Sequence, residues 1–381
     1  MKTLLLKDVN AVLPDGVAQD VSVLIAEGRI EAIDAVGVPD GTEEVSLAGA
    51  TLFPGFIDVH IHGSAGIDVM DATPEQLSLV SEFLCSQGVT GWVPTFVPAA
   101  DEVYASAVAA IAEAARSARG ARVLGVHYEG PFVNSLQCGA LHTEYFKTYS
   151  SPSDLEGLPV PDGVRMITLA PEVDGGIDLV RELKSRGWVI SIGHTRASLD
   201  VLDRALEAGA HHMTHFMNAM APLHHRAPGP IAWGLAHDDV TCDVIADGIH
   251  LDPFMLRLLM KVKGERGISL ISDAIAAAGK EDGDYQIWGE TISVRDGRTS
   301  NAAGSIAGSV ITMLDAVRMM RSLGVSEVEL AQIGSLNLAR LLGLESQCGS
   351  IEFGKRADVV ALDRDGNVKL TLVDGRIAFR A

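Results

Sequence analysis

Continuous apolar runs recur through the middle of the chain, and most of them are separated by stretches with apolar residues at helical spacing. Eight runs share this character: 53–61, 89–96, 122–128, 165–170, 188–193, 212–216, 240–246 and 268–272. The amphipathic stretches include PEQLSLVSEFLCSQ, VYASAVAAIAEAARSA, SLDVLDRALEAG and DPFMLRLLMKVKG. Apolar strands that alternate with helices indicate a parallel sheet buried on both faces. Eight such units predict an α/β fold, a closed (β/α)₈ TIM-type barrel rather than an open doubly wound sheet. No GxGxxG motif opens a helix after the first strand, which further disfavours the open sheet.

Both ends of the chain show a different pattern, of short β-type runs and turns. The N-terminal end contains TLLLKDVNAVL and VSVLIAEGRIEAI, and the C-terminal end contains GSIEFGKRADVVALD and VKLTLVDGRIAF with a hairpin signal at 365–367. We therefore expect residues 1–52 and 350–381 to form one small β-sandwich domain beside a barrel of residues 53–349. Two unrelated terminal strand pairs are the alternative.

Composition and charge exclude several classes of protein. A chain of 381 residues suits a barrel of about 250 residues with an appended domain. Its 47% hydrophobic and 21% charged residues are ordinary for a globular protein. The 30 Lys and Arg against 50 Asp and Glu give a net charge of −20, which would repel a phosphate backbone, so no nucleic-acid partner is expected.

The same composition bears on the cellular location. The apolar runs are shorter than the roughly 18 residues of a membrane span, and MKTLLLKDVN turns polar too early for a signal peptide. No membrane association is therefore expected. The four cysteines are widely spaced without a CxxC pair, and we interpret them as reduced thiols of a cytoplasmic protein: Cys85, Cys138, Cys242 and Cys348.

Nearly every predicted barrel strand finishes in a histidine or a carboxylate, where barrel enzymes place their chemistry. His60 and His62 are two residues apart, so on a strand they share one face and can bind one ion together. Glu129 could bridge two ions, and His194 and His215 could hold the second. Such ligands suit Zn²⁺, and Fe²⁺, Mn²⁺ or Co²⁺ fit them too. A single histidine at a strand end is more often structural, but five ligand-type residues at four strand ends predict one or two divalent ions.

Two further features indicate catalysis and anion binding. Asp273 ends the last strand, and a carboxylate beside a metal can take a proton from water and give it to a leaving group. A helix N-cap or a plain metal ligand are alternatives for Asp273. His224, His225 and Arg226 form a local basic patch that suits an anionic substrate group, although a salt-bridged surface arginine is the common default. We interpret His127 as structural.

Six segments in a fixed order carry a family resemblance: PGFIDVHIHG, HYEGPF, SIGHT, THFMNAM, ADGIH and ISDAI. They resemble the amidohydrolase superfamily and, within it, the N-acetylglucosamine-6-phosphate deacetylase family. The likeness runs from about Thr51 to the C-terminus and includes AGS at 307–309. The HxH pair by itself indicates only an amidohydrolase, whereas EGPF, GHT, HxxNAM and DGxH together are typical of this family.

The resemblance implies a reaction and a set of roles. It implies hydrolysis of the acetamide of an N-acetylamino-sugar 6-phosphate in amino-sugar metabolism, by a homodimer whose partner subunit helps to complete the phosphate pocket. It implies metal binding by Glu129, His194 and His215, with His60 and His62 as an additional pair that some members have. Asp273 matches the catalytic acid and base of the family.

The resemblance also implies which residues hold the substrate. Those matched to the sugar and the phosphate are Asn218, Ala219, Arg226, His250, Ala140 and Ile306. His142 matches a histidine that contacts the substrate carbonyl. The segment Gly139-Ala140-Leu141-His142 is one residue longer than the usual Gly-Ala-His of the family.

Three alternatives to this function remain at the level of sequence. Dihydroorotase-like and dipeptidase-like amidohydrolases commonly place a carboxylated lysine at the end of strand four, where this chain has Ala170-Pro171-Glu172. A deacetylase of N-acetylgalactosamine 6-phosphate fits the same residues. A non-catalytic sugar-phosphate-binding protein predicts loss of the ligands or of Asp273, and all of these residues are present.

Overall fold

The computed structural model describes residues 3–35, 37–117 and 119–381. The N-terminal end forms four strands, namely β1 (Thr3–Leu13), β2 (Gly16–Ala26), β3 (Arg29–Ile33) and β4 (Glu43–Pro54). Strand β1 pairs antiparallel with β2 and parallel with β4. Its buried side chains, such as Leu6 and Val9, lie in a small core that is separate from the main one.

The middle of the chain forms the barrel. In chain order its strands are β5 (Phe56–Ile61), β6 (Gly63–Ser64), β7 (Ile67–Asp68), β8 (Val89–Phe96), β9 (Arg122–Val123), β10 (Gly125–Glu129), β11 (Val164–Leu169), β12 (Val189–Ile192), β13 (His212–Met213), β14 (Thr241–Ile245) and β15 (Ile268–Ile271). Eight of them lie side by side in the order β5-β8-β10-β11-β12-β13-β14-β15, and all of these neighbours are parallel. A parallel bridge between Ile61 and Ala274 closes the ring. The predicted (β/α)₈ barrel is confirmed.

Helices separate most of the barrel strands, as the amphipathic pattern predicts. They are α1 (Pro74–Ser86), α2 (Asp101–Ser117), α3 (Gly176–Ser185), α4 (Leu199–Ala208), α5 (Gly229–Ala236), α6 (Pro253–Gly267), α7 (Met313–Ser322), α8 (Glu327–Ala331) and α9 (Asn337–Leu341). Helix α1 shows the local cause, because Thr73 and Gln76 form a capping box and Leu77, Val80 and Leu84 recur on its buried face. None of the helices in the described residues has the length and apolar character of a membrane span.

An antiparallel sheet that the sequence pattern did not predict follows β15. Its strands are β16 (Gly283–Ile287), β17 (Glu290–Arg295) and β18 (Arg298–Ser300), and we call residues 283–300 the insert. Ile287, Ile292 and Val294 of the insert pack with Ile275 and Ala307 in a third, small core. The insert therefore rests on the chain that leaves the last barrel strand.

The C-terminal end completes the N-terminal sheet with β19 (Val359–Leu362), β20 (Val368–Val373) and β21 (Arg376–Arg380). Strand β19 pairs antiparallel with β4, so the sheet runs β21-β20-β19-β4-β1-β2-β3. The two chain ends thus meet in one β domain, as expected, and its strands form one continuous hydrogen-bonded sheet. The alternative of two unrelated strand pairs is wrong. The domain limits at 1–52, 53–349 and 350–381 stay a prediction.

The barrel interior is filled closely at the end of β12, and this packing generates a prediction. A Cβ atom added at Gly193 would lie 2.4 Å from Thr214 Cγ2 and 2.7 Å from Thr168 Cγ2. Both threonines are fully buried. We expect Gly193→Ala to lower the free energy of unfolding, measured by urea denaturation, by about 1–3 kcal/mol, because overpacking forces such side chains apart.

A control for this prediction is Gly16→Ala, because a Cβ atom at Gly16 has nothing within 4 Å. We expect it to change the free energy of unfolding by less than about 0.5 kcal/mol. Losses of the same size in both variants would contradict the interpretation of Gly193 as a packing constraint.

Candidate active site

Six side chains meet at the C-terminal ends of the barrel strands. They are His60 in β5, His62 directly after it, Glu129 at the end of β10, His194 beyond β12, His215 beyond β13 and Asp273 beyond β15. All six are buried. The strands are parallel and closed into a ring, so their C-terminal ends converge on one axis and residues far apart in sequence become neighbours.

The carboxylate of Glu129 lies at the centre of this cluster. Its Oε1 is 2.9 Å from His194 Nε2, 3.0 Å from His215 Nε2 and 3.5 Å from His60 Nε2. Its Oε2 is 3.4 Å from His62 Nε2. The two Nε2 atoms of His194 and His215 are 3.1 Å apart. Four imidazole edges therefore face a single carboxylate.

Asp273 borders the same cluster. Its Oδ1 is 3.2 Å from His62 Nε2 and 3.5 Å from His60 Nε2. The backbone of Asp273 is left-handed, with φ of 50°. Its amide donates to His60 O and its carbonyl accepts from Ser309 N. These bonds to both neighbouring segments hold an unfavourable backbone conformation that aims the carboxylate at the histidines.

The second ring nitrogen of three histidines is fixed from outside the cluster. His60 Nδ1 is 3.0 Å from Thr214 Oγ1, His62 Nδ1 is 3.1 Å from Thr95 O, and His194 Nδ1 is 2.8 Å from Gln137 O. A partner at Nδ1 fixes the ring orientation and leaves Nε2 to face the centre.

The charges in the cluster keep both carboxylates ionised. Burial raises the pKa of Glu129, but the charge of His60 and the hydrogen bonds of His194 and His215 outweigh burial and hold this pKa well below its usual range. Burial also opposes ionisation of Asp273, yet His60 and His62 lower its pKa overall. Burial lowers the pKa of His215, whereas Glu129 more than compensates and raises it to about 9.

The donor set fits a divalent metal ion. Two triads, His60–His62–Glu129 and Glu129–His194–His215, each bring three ligand atoms within 4.8 Å of one another. His60 Nε2 is buried without a hydrogen-bond partner among the described residues, so a bound ion would satisfy it. Imidazole nitrogens with a shared carboxylate are ligands that first-row divalent ions prefer. These residues can therefore hold one ion or two.

A cavity of about 310 Å³ opens above the cluster. Its wall contains His62, Glu129, His194, His215 and Asp273. Five residues matched to the substrate by the family resemblance line it as well, namely Asn218, Ala219, His250, Ala140 and Ile306. The carboxylate Oδ2 of Asp247 lies 2.6 Å from His250 Nδ1 and orients that ring. Trp288 of the insert also lines the cavity, although no sequence motif indicated it.

Two predicted site residues lie outside both the cluster and the lining of this cavity. His142 is half-buried, with Nδ1 3.3 Å from Glu144 Oε1 and Nε2 3.9 Å from Glu290 Oε1. Arg226 lies in an exposed loop, where its amide donates to His224 Nδ1. Both residues belong to loops, and the course of the loop decides their position: the segment 139–142 brings Ala140 to the cavity wall but not His142. Their roles stay predictions.

Glu172 and Asp243 are positioning residues that the sequence analysis missed. Glu172 Oε1 accepts hydrogen bonds from Asn134 Nδ2 at 2.8 Å and from Arg196 N at 2.6 Å. Glu172 Oε2 accepts from Thr195 Oγ1 at 2.6 Å, so this carboxylate ties down the segment that follows His194. Asp243 accepts from the backbone N–H of His215. The signal for Glu172 was its place at the end of strand four.

Two further buried polar residues support the strand ends. Ser272 Oγ donates to Asp58 Oδ2 at 2.5 Å and joins the last barrel strand to the first, while burial raises the pKa of Asp58 to about 6. Both ring nitrogens of His127 are engaged, at 2.9 Å from Val59 O and 2.8 Å from Thr168 Oγ1. Neither nitrogen of His127 is then available to a ligand, which agrees with its structural interpretation.

A closed parallel barrel with a cluster of histidines and carboxylates at the C-terminal ends of its strands is typical of a barrel enzyme. The chain belongs to the amidohydrolase family, whose model matches residues 51–378. It is 38% identical over 99% of its length to the N-acetylglucosamine-6-phosphate deacetylase of Bacillus subtilis, covering 98% of that protein. It is 36% identical to the N-acetylgalactosamine-6-phosphate deacetylase of Escherichia coli O157:H7, with 96% of each chain covered.

A solved structure extends the comparison to the fold. The N-acetylglucosamine-6-phosphate deacetylase of Pasteurella multocida superposes with a TM-score of 0.91 at 30% identity, over 98% of this chain and 99% of that one. The resemblance inferred from the six motifs is thus confirmed.

The contacts of Glu172 generate a prediction for the site. Glu172→Ala removes three hydrogen bonds that hold residues 134, 195 and 196. We expect it to weaken metal binding about 10–100-fold, because outer contacts orient the ligands. Competition against a chromophoric chelator measures this, with Glu156→Ala as the control because Glu156 is exposed. Equal metal affinities for wild type and Glu172→Ala would contradict the positioning role.

Proposed function

We propose that the protein hydrolyses the acetamide of N-acetylglucosamine 6-phosphate to glucosamine 6-phosphate and acetate. The observation that carries this proposal is the cluster in which four histidines face Glu129 with Asp273 beside them, at the base of an open cavity. Two of the compared relatives are named for this reaction.

The cofactor in this proposal is Zn²⁺. Glu129, His194 and His215 would hold one ion, and His60 and His62 would hold a second with Glu129 as the shared ligand. Fe²⁺, Mn²⁺ and Co²⁺ fit the same ligands. A divalent ion bound there supplies polarisation of a carbonyl oxygen and lowers the pKa of water.

Asp273 performs the proton transfers in the proposed reaction. Because its pKa lies below the usual range, the carboxylate is ionised at neutral pH and can accept a proton from the attacking water. The water oxygen bonds to the carbonyl carbon. Asp273 then gives its proton to the amide nitrogen as the carbon–nitrogen bond breaks. His142 would contact the carbonyl oxygen after a movement of the lengthened segment 139–142.

The rest of the cavity wall would hold the sugar phosphate. A volume of about 310 Å³ is at the lower end of the range for small-molecule sites. Asn218, Ala219 and His250 would contact the sugar and the phosphate, with Ala140 and Ile306 as further wall. Arg226, which does not line the cavity of its own chain, would contribute a cation from the partner subunit of a homodimer. A protein with a net charge of −20 needs such a local cation to hold a phosphate.

The epimeric substrate N-acetylgalactosamine 6-phosphate is the second candidate, since one relative at 36% identity is named for it. We also propose a cytoplasmic location. All four cysteines lie in the described residues as free thiols, which agrees with a reducing compartment.

The function is tested by acetate release from the protein loaded with Zn²⁺. We expect turnover of N-acetylglucosamine 6-phosphate and little or none of unphosphorylated N-acetylglucosamine. In Arg226→Ala, KM for the phosphorylated sugar should rise at least about tenfold, because a charge-assisted phosphate contact is lost.

The control is Arg257→Ala, which removes the same charge from an exposed position on α6. Turnover confined to the galacto epimer would select the second candidate. Turnover of neither phosphate by the metal-loaded protein would overturn the proposed function, and equal losses on phosphorylated and unphosphorylated sugars in Arg226→Ala would overturn its phosphate contact.

The role of Asp273 is tested by Asp273→Asn. We expect the variant to keep its metal content and to lose kcat by about 10²–10⁴-fold, because an amide cannot carry the proton. Metal content is measured by elemental analysis and kcat by acetate release. A kcat within about tenfold of the wild type would remove Asp273 from the acid and base role.

A further inference from the structure

The insert contains a turn whose sequence conflicts with its backbone. Ile287 pairs with Glu290, so Trp288 and Gly289 form a two-residue loop between β16 and β17. Their φ angles are 53° and 79°, both left-handed. Such turns favour Asn, Asp or Gly at the first position, and a bulky residue there is an outlier.

The other hairpin of the insert has the residues that such a turn favours. Arg295 pairs with Arg298, and the loop between them is Asp296-Gly297 with φ angles of 51° and 73°. Two turns of the same kind in one small sheet thus differ in their first residue. The backbone of the turn does not favour a tryptophan, whereas the side chain of Trp288 packs against both the small core of the insert and the main core.

The indole of Trp288 reaches into the active-site cavity. It lines the wall together with His62 and Asp273. Its ring centroid lies 5.2 Å from that of His62, with the planes at 82°, which is an edge-to-face contact. His62 Nε2 lies 3.2 Å from Asp273 Oδ1. Trp288 is therefore one side chain away from the group that moves the proton.

This position is on the reacting side of the cavity. His62 follows β5, which neighbours β8 and meets the chain beyond β15 at Ala274. Asn218 and Ala219, which would hold the sugar phosphate, follow β13 and are separated from β5 by two strands. With the sugar phosphate held near Asn218 as proposed, the acyl group would extend towards Asp273 and Trp288.

We propose that Trp288 is a specificity-determining residue whose indole closes the acyl side of the cavity and restricts the substrate to short N-acyl groups. This inference rests on the proposed deacetylase function and deepens it. In this arrangement the indole beside His62 would confine the space beyond the methyl group of an acetyl substrate, and a propionyl or butyryl chain would collide with it. A wall of this kind discriminates through the size of one or two methylene groups.

The test compares kcat/KM for N-acetyl-, N-propionyl- and N-butyrylglucosamine 6-phosphate. In Trp288→Gly, which suits the turn, we expect the butyryl-to-acetyl ratio to rise at least about tenfold, because a methylene against a pocket wall is worth that much or more. Trp288→Asn, also favoured by the turn, should behave alike. Trp288→Phe should stay closer to the wild type, since it retains an aromatic wall.

The matched control is Asp296→Gly, which alters the equivalent turn at an exposed position. We expect it to leave the butyryl-to-acetyl ratio unchanged. A rise equal to that of Trp288→Gly would show that loosening of the insert causes the effect, and it would overturn the proposal. An unchanged ratio in Trp288→Gly and Trp288→Asn, or loss of activity on every acyl group in both, would also overturn it. A wild-type protein that releases no acetate would contradict the proposed function and this inference together, whereas an active wild type with an unchanged ratio contradicts this inference alone.

Discussion

The carboxylate of Glu129 is buried between four imidazole rings, and this single interaction constrains much of the active site. A buried carboxylate is costly unless charge and hydrogen bonds compensate. Here His194 and His215 lie within 3.0 Å of Oε1, and His60 and His62 complete the surround. His194 and His215 each follow a different strand, and His60 and His62 both lie at the end of β5. The barrel must therefore close with these ends in register, and the bridge between the first and last strands serves that requirement.

The residues that leave the strands carry the conformational cost of this convergence. His194, His215 and Asp273 all have positive φ, at 48°, 29° and 50°. Non-glycine residues in such regions cost about 1–3 kcal/mol each. Carboxylates behind the site, including Glu172 and Asp243, accept hydrogen bonds from the same turns and hold them in place. Backbone strain at these cluster residues is thus offset by hydrogen bonds to residues outside the cluster.

The barrel was predictable from the sequence because apolar runs alternate with amphipathic stretches. The cluster was predictable because its histidines and carboxylates stand at the ends of those runs. Apolar runs located all eight strands, and the spacing of His60 and His62 placed them together. The insert was missed because its strands are short and most of their residues are exposed or half-buried. Trp288 was missed with it, since a tryptophan in a tight turn gives no signal of a binding site. The positions of His142 and Arg226 depend on the course of loops, which periodicity does not determine.

The Glu129 cluster has the donor set of a divalent-metal centre. Anomalous diffraction tests metal binding there most directly, with data collected at the zinc absorption edge from crystals of the protein loaded with Zn²⁺. We expect a peak bounded by Glu129, His194 and His215, and a second beside His60 and His62 when both triads are filled. Full occupancy elsewhere in the molecule, with no peak at Glu129, would contradict the assignment.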